Sequence, residues 1–184
     1  MKSKSLPFLL TALFVVSVSY AVVSAQRAAP VTNLKGKVAP DASIVASDGT
    51  ATKFHSVIKN KPTALIFYRG GWCPFCNVHL KDLVQATDSL EKMGYQLIAI
   101  SPDTAAAAKQ TVDSNELNYK VFADPKADLI KAFGIGFQQG NKTLPVPAVY
   151  LLDKNGKVIF EHLNPNYQER LSKDEILKAA RSAK

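Results

Sequence analysis

Cysteine is scarce in this chain: the 184 residues hold two, Cys73 and Cys76. A bridge between residues three apart closes almost no loop, so this pair is excluded as a structural staple. Histidine is nearly as rare, with His55, His79 and His162. A closed zinc site needs four ligands, and none of these histidines has the spacing of a second ligand pair, which argues against a metal centre. The chain is basic, with 23 Lys and Arg against 15 Asp and Glu and a net charge of +8. It nevertheless lacks any basic run interleaved with aromatics, so a nucleic-acid surface is not expected and the charge reads as a solvated face. Internal repeats and low-complexity tracts are absent as well.

Only one long apolar run exists. Lys2 and Lys4 precede an uncharged stretch from Leu6 to Ala25 that closes on Val23-Ser24-Ala25, the small-residue pattern of a signal-peptidase site, and cleavage is expected before Gln26. The alternative is an uncleaved anchor, since twenty residues at about 1.5 Å rise can just span a hydrocarbon core of roughly 30 Å. Either reading places the rest outside the cytoplasm, periplasmic or extracellular, with no further membrane contact after cleavage. No cysteine follows the run, which excludes a lipid-modified N-terminal cysteine. Removing residues 1–25 leaves 159 residues and a charge of +6, enough for one core and one domain. The expected organisation is a signal peptide over 1–25, a flexible arm over 26–38 and a single domain over 39–184.

Within that domain, Ala42 to Phe54 reads as a hairpin turning at Ser47-Asp48-Gly49. Thr63 to Tyr68 and Tyr95 to Ile100 are continuous apolar runs suited to strands buried on both faces. Between them, Leu80, Leu83, Val84 and Leu90 predict a helix from the dithiol to about Lys92, stopped by Gly94. Ser101-Pro102-Asp103 opens an alanine-rich helix, Tyr119 to Phe122 is a short strand, and Asp124-Pro125 starts another helix ending near Gly134. Gly136 to Thr143 reads as a polar loop. Ala148 to Leu152 and Lys157 to Phe160 flank Asp153-Lys154-Asn155-Gly156, whose Asn-Gly favours a tight turn. A last helix spans about Lys173 to Ala180 behind Ser172 as N-cap. The order predicts an α/β fold with a mixed central sheet flanked by helices.

The dithiol Cys73-Pro74-Phe75-Cys76 sits where a buried strand gives way to a helix. Unpaired amides and the helix dipole there favour a thiolate. Pro74 suits the first helical position, which puts Cys73 at the N-cap, exposed, and turns Cys76 toward the core, shielded. Cys73 is thus the expected nucleophile on a substrate disulfide and Cys76 the resolving thiol. No cofactor is expected. His79 lies on the same helix and is expected as a solvated surface histidine, with a proton shuttle as the alternative role. The preceding strand offers Leu65 and Ile66 and no carboxylate, so the base for Cys76 is unidentified.

Phe67-Tyr68-Arg69-Gly70-Gly71-Trp72-Cys73-Pro74-Phe75-Cys76 resembles the signature of the peroxiredoxin-like branch of the AhpC/TSA (redoxin) family, in the thioredoxin superfamily. The resemblance extends through Ala99 to Asp103, Asp124-Pro125, Phe133-Gly134, Leu144 to Ala148 and Asp153 to Val158. It implies a thioredoxin-like fold, a cis Val146-Pro147 peptide facing the dithiol, and supporting roles for Trp72, Pro74, Pro147 and Arg69. It implies a thiol-disulfide oxidoreductase acting on protein or small-molecule thiols and disulfides in antioxidant or envelope thiol homeostasis, with a thioredoxin-like reductant as partner. The resemblance also carries an alternative, a thiol-dependent peroxidase reducing hydroperoxides, because Cys76 falls where peroxiredoxins keep their peroxidatic cysteine. In that register the motif proline is Arg69, the motif threonine is Cys73 and the activating arginine is Pro147. Arg69 is then the one nearby cation able to compensate, with a solvated surface arginine as the alternative reading. A metal- or partner-binding thioredoxin-fold protein is the non-enzymatic alternative.

Overall fold

The computed structural model describes residues 32–183, so the expected signal segment and the start of the arm lie outside the described residues. Seven strands form the main sheet: β1 (Ser43–Ala46), β2 (Ala51–Lys53), β3 (Thr63–Phe67), β4 (Gln96–Ser101), β5 (Lys120–Ala123), β8 (Ala148–Leu152) and β9 (Val158–Leu163). Their order is β2-β1-β5-β4-β3-β8-β9. The central β5-β4-β3 pairings are parallel and the outer ones antiparallel. A separate hairpin pairs β6 (Gly136–Gln139) with β7 (Lys142–Pro145).

The sheet alternates its side chains between two cores, as a period of two requires. Leu65, Phe67, Ile98, Ile100, Tyr150 and Leu152 face one side, covered by α1 (Phe54–Ile58) and α5 (Asp128–Ala132). Phe133 packs there at 4.9 Å from Phe67 and 5.0 Å from Tyr150, ring centre to ring centre. Ala64, Ile66, Leu97, Ala99, Val149 and Leu151 face the other side, under α2 (Pro74–Val84), α3 (Thr87–Lys92), α4 (Ala105–Asn115) and α6 (Lys173–Ser182). Both cysteines belong to this second core. The Ser172 N-cap is present and forms a full capping box with Glu175.

Four expectations are corrected. The dithiol helix breaks after Val84, where Thr87 Oγ1 donates to the Val84 carbonyl at 2.8 Å and competes with helix continuation. Helix α4 is capped by Thr104, which accepts from Ala107 N, rather than opened by Ser101 to Asp103. The polar stretch from Gly136 to Thr143 is the β6–β7 hairpin, turning at Gly140 with φ +59°. The end of the expected flexible arm is tied down: Leu34 is buried, and Gly36 N, Lys37 O and Ala39 N bond the chain around Val158 at 2.8 Å each.

Candidate active site

Strand β3 hands over to α2 through Tyr68 to Trp72, and two glycines make that turn. Gly70 has φ +144°, a backbone state disfavoured for side-chain-bearing residues, and a Cβ there would lie 2.4 Å from the Trp72 indole Nε1. At Gly71 a Cβ would meet Thr111 Oγ1 at 2.0 Å, so α4 can approach only because this residue has none. Asp103 Oδ2 accepts from Gly71 N at 2.9 Å and from Ser101 Oγ at 3.0 Å. Asn77 Nδ2 donates to the Gly71 carbonyl at 2.8 Å, and Asn115 Nδ2 donates to Asn77 Oδ1 at 3.3 Å. The Ser101-Pro102-Asp103 segment therefore braces the turn before the dithiol.

Cys73 is the N-cap of α2 and Pro74 its first helical residue, as expected. Exposure of Cys73 is not borne out: it is 2% exposed and Cys76 0%, both as free thiols. The N-cap fixes where the backbone lies, whereas accessibility depends on neighbours, and the exposed apolar surface passes to Trp72 and Phe75. Cys76 Sγ accepts from the Arg170 guanidinium, whose Nη2 lies 3.5 Å away, and the Arg69 backbone N–H also favours its thiolate. Burial outweighs both donors, and with the hydrogen bond to Cys73 it pushes the Cys76 thiol up to about 11.

Arg69 is not a surface arginine. It is 6% exposed, its guanidinium carbon 5.2 Å from the Trp72 ring centre and 4.5 Å from that of Tyr167. Its Nη2 donates to Gln139 Oε1 on the β6–β7 hairpin at 2.5 Å, while Nε is buried without a partner among the described residues. Tyr167 also meets Phe75 edge-on at 5.9 Å. Residues 164–171 thus form a strap over the dithiol, with Arg170 donating to the Tyr167 and Glu169 carbonyls as well as to Cys76.

His79 is likewise buried, 5% exposed, rather than solvated. Its Nε2 lies 2.9 Å from the Leu171 carbonyl, and burial pushes the imidazole down to about 4, so it ties the strap to α2 in neutral form as a donor. Among the described residues the Val146-Pro147 peptide is trans, correcting the cis expectation. That geometry carries β7 on toward β8, with Val146 N bonded to Ile135 O. The Pro147 carbonyl accepts from Asn164 N of the strap at 3.1 Å, and Pro147 shares a small cavity with His79 and Arg170. The sequence reading missed Asp103, Asn77 and Asn115 as braces, and Gln139, Tyr167 and Arg170 as neighbours. Asp103 lies within the Ala99 to Asp103 motif. Arg170, 94 residues from Cys76, left no local signal.

A family model described as the AhpC/TSA family matches residues 35–161. The chain is 29% identical over 144 residues to the thiol-disulfide oxidoreductase ResA of Bacillus thuringiensis subsp. konkukian, covering 78% of this chain and 76% of that one. It is 29% identical over 148 residues to the chloroplastic peroxiredoxin Q of Oryza sativa subsp. japonica, covering 80% and 67%. Among solved structures, reduced Prx3 of Vibrio vulnificus in complex with hydrogen peroxide superposes with a TM-score of 0.76 at 19% identity, over 81% of this chain and 99% of that one. A peroxiredoxin-like protein from Aquifex aeolicus gives 0.73 at 23%, over 85% and 91%. The chain belongs to the AhpC/TSA family and has the thioredoxin-like fold.

Proposed function

We propose that this oxidoreductase of thiols and disulfides works through Cys73 as nucleophile and Cys76 as resolving thiol. The Cys73 thiolate attacks one sulfur of a substrate disulfide, its S–S bond breaks and one substrate thiolate leaves. The Cys76 thiolate then attacks the Cys73 sulfur, releases the second substrate thiolate and closes a Cys73–Cys76 disulfide. Two electrons pass to the substrate, and a thioredoxin-like reductant restores the dithiol. The observation that carries this reading is the placement of the pair: both thiols are buried, but Cys73 caps the helix N-terminus, whereas Cys76 lies inside the first turn, where burial pushes its thiol up to about 11. Trp72, Pro74, Arg69 and Pro147 support the motif, and the Pro147 carbonyl holds the strap through Asn164 N.

Cys73→Ser is expected to abolish turnover, and Cys76→Ser to accumulate mixed disulfides visible by mass spectrometry. Alkylation that labels Cys76 first would reverse the assignment. A second reading, a hydroperoxide reductase with Cys76 as peroxidatic thiol, is favoured by one contact, the Arg170 Nη2 at 3.5 Å from Cys76 Sγ. Arg170 would supply the cation that the family register lacks at Pro147. Stopped-flow oxidation of the reduced protein by hydrogen peroxide and by a protein disulfide, side by side, separates the two. We further propose that the protein is exported, on Lys2, Lys4 and the apolar run ending at Ala25. The N-terminal sequence of the mature chain tests this, with Gln26 expected first.

A further inference from the structure

A groove of about 560 Å³ lies between Trp72, the start of α4 and the β6–β7 hairpin, one residue along the chain from Cys73, which does not itself line it. Three cations line it, Arg69, Lys126 and Lys142, against one carboxylate, Asp103. Asp103 Oδ2 is already engaged by Gly71 N and Ser101 Oγ. Among the described residues none of the three cations forms an ion pair. Lys126 and Lys142 are exposed, but Arg69 is more than nine-tenths buried and its Nε has no hydrogen-bond partner among the described residues. A guanidinium withdrawn from water without a counter-charge is costly, and a carboxylate entering the groove would relieve that cost with a charge-assisted bond. The volume suits a ligand of small-peptide size. Trp72, next to Cys73 in the chain, forms the wall nearest the dithiol.

We propose that this groove binds the carboxylate of a low-molecular-weight anionic thiol, so that the preferred substrate is its disulfide. The inference rests on the disulfide-exchange reading, with Cys73 attacking the bound disulfide as written above. The β6–β7 hairpin is the recognition element: it brings Lys142 into the groove and holds Arg69 through Gln139.

Two measurements test it separately from that reading. Trp72 is the single tryptophan of the chain, so its emission reports occupancy without any chemistry. Titration with thiodipropionate, an unreactive dianionic thioether, is expected to give a saturable change that its neutral counterpart thiodiethanol does not give. The affinity should fall about tenfold in the Lys126→Ala/Lys142→Ala double variant and with rising salt. The reduced protein should also be oxidised about tenfold faster by dithiodipropionate than by dithiodiethanol at low salt, a ratio that collapses toward one in the double variant. No saturable response, or a response equal for thiodipropionate and thiodiethanol, overturns the groove assignment even if neutral disulfides react. A saturable, charge-dependent response in a protein that reduces no disulfide upholds the groove and overturns the disulfide-exchange reading.

Discussion

The two sides of the dithiol are built differently. On the α4 side, Asp103, Asn77 and Asn115 hold the Gly70-Gly71 turn through hydrogen bonds to backbone and to one another. On the strap side, Arg170 reaches Cys76 and Arg69 lies against Trp72 and Tyr167, both with Nε atoms buried and without a partner among the described residues, and aromatic faces supply much of the contact. A satisfied network fixes one geometry, whereas a side with unmet hydrogen-bonding capacity has something to gain from a ligand or a rearrangement. The first side therefore sets the position of Cys73, and the second sets access to both sulfurs and the charge on Cys76.

The sharpest way to break this comparison is to disturb the braced side. Gly71→Ala drives a Cβ into Thr111 and should lower stability by about 3 kcal/mol, the upper part of the range for overpacking. Thermal unfolding of this variant, and of Gly71→Ala/Thr111→Ala as a partial rescue, checks it. A Gly71→Ala protein as stable as the parent would mean that the brace does not set the turn.

Acid should act on the strap side, through His79. Its native pKa is pushed down to about 4 from an ordinary value of 6.5, so its contribution is complete above about pH 6.5 and is lost as the pH falls through 4. At about 1.4 kcal/mol per pH unit the linked loss is at most about 3 kcal/mol. Leu171, Arg170 and Asp82 face the ring. Release of the strap alone would take up this loss, so the amide protection factors of residues 164–171, taken relative to intrinsic exchange at each pH, should fall between pH 6.5 and 4 before those of the sheet. His79→Gln should flatten that dependence; retention of it would assign the acid sensitivity to another group.

What the sequence revealed follows the range of each interaction. β3, β4 and β8 were legible because burial on both faces writes a continuous apolar run. The Ser172 cap and the Asn155-Gly156 turn were legible because their partners lie within a few residues. The β6–β7 hairpin was not, since Gln138, Gln139, Lys142 and Thr143 show no apolar alternation, although Gly140-Asn141 is a two-residue turn signal. Residue type alone suggests a solvated side chain for His79, and as an alternative for Arg69. They are buried by a strap some ninety and a hairpin some seventy residues downstream. Helix-start reasoning placed Cys73 on the backbone but could not foresee its enclosure.

The smallest effect on stability, and the most specific effect on chemistry, is expected for Arg170→Ala. The side chain touches Cys76, two carbonyls of its own strap and no carboxylate among the described residues, so its removal should cost under about 1 kcal/mol of stability. Its guanidinium lowers the Cys76 thiol against the larger effect of burial, so without it the thiol rises further. The resolving step depends on the Cys76 thiolate, and losing one charge-assisted bond of about 1.5 kcal/mol slows it about tenfold at neutral pH. The first step, attack by Cys73, should change far less. Rapid-quench mass spectrometry of the mixed disulfide measures both rates. Arg170→Lys, which keeps the charge but not the reach of the fork, should fall between. If resolution is unchanged while stability drops, Arg170 is a structural tie of the strap and the division between a positioning side and a chemical side is wrong. If peroxide reactivity is what collapses, the same residue is the activating cation of a peroxidase.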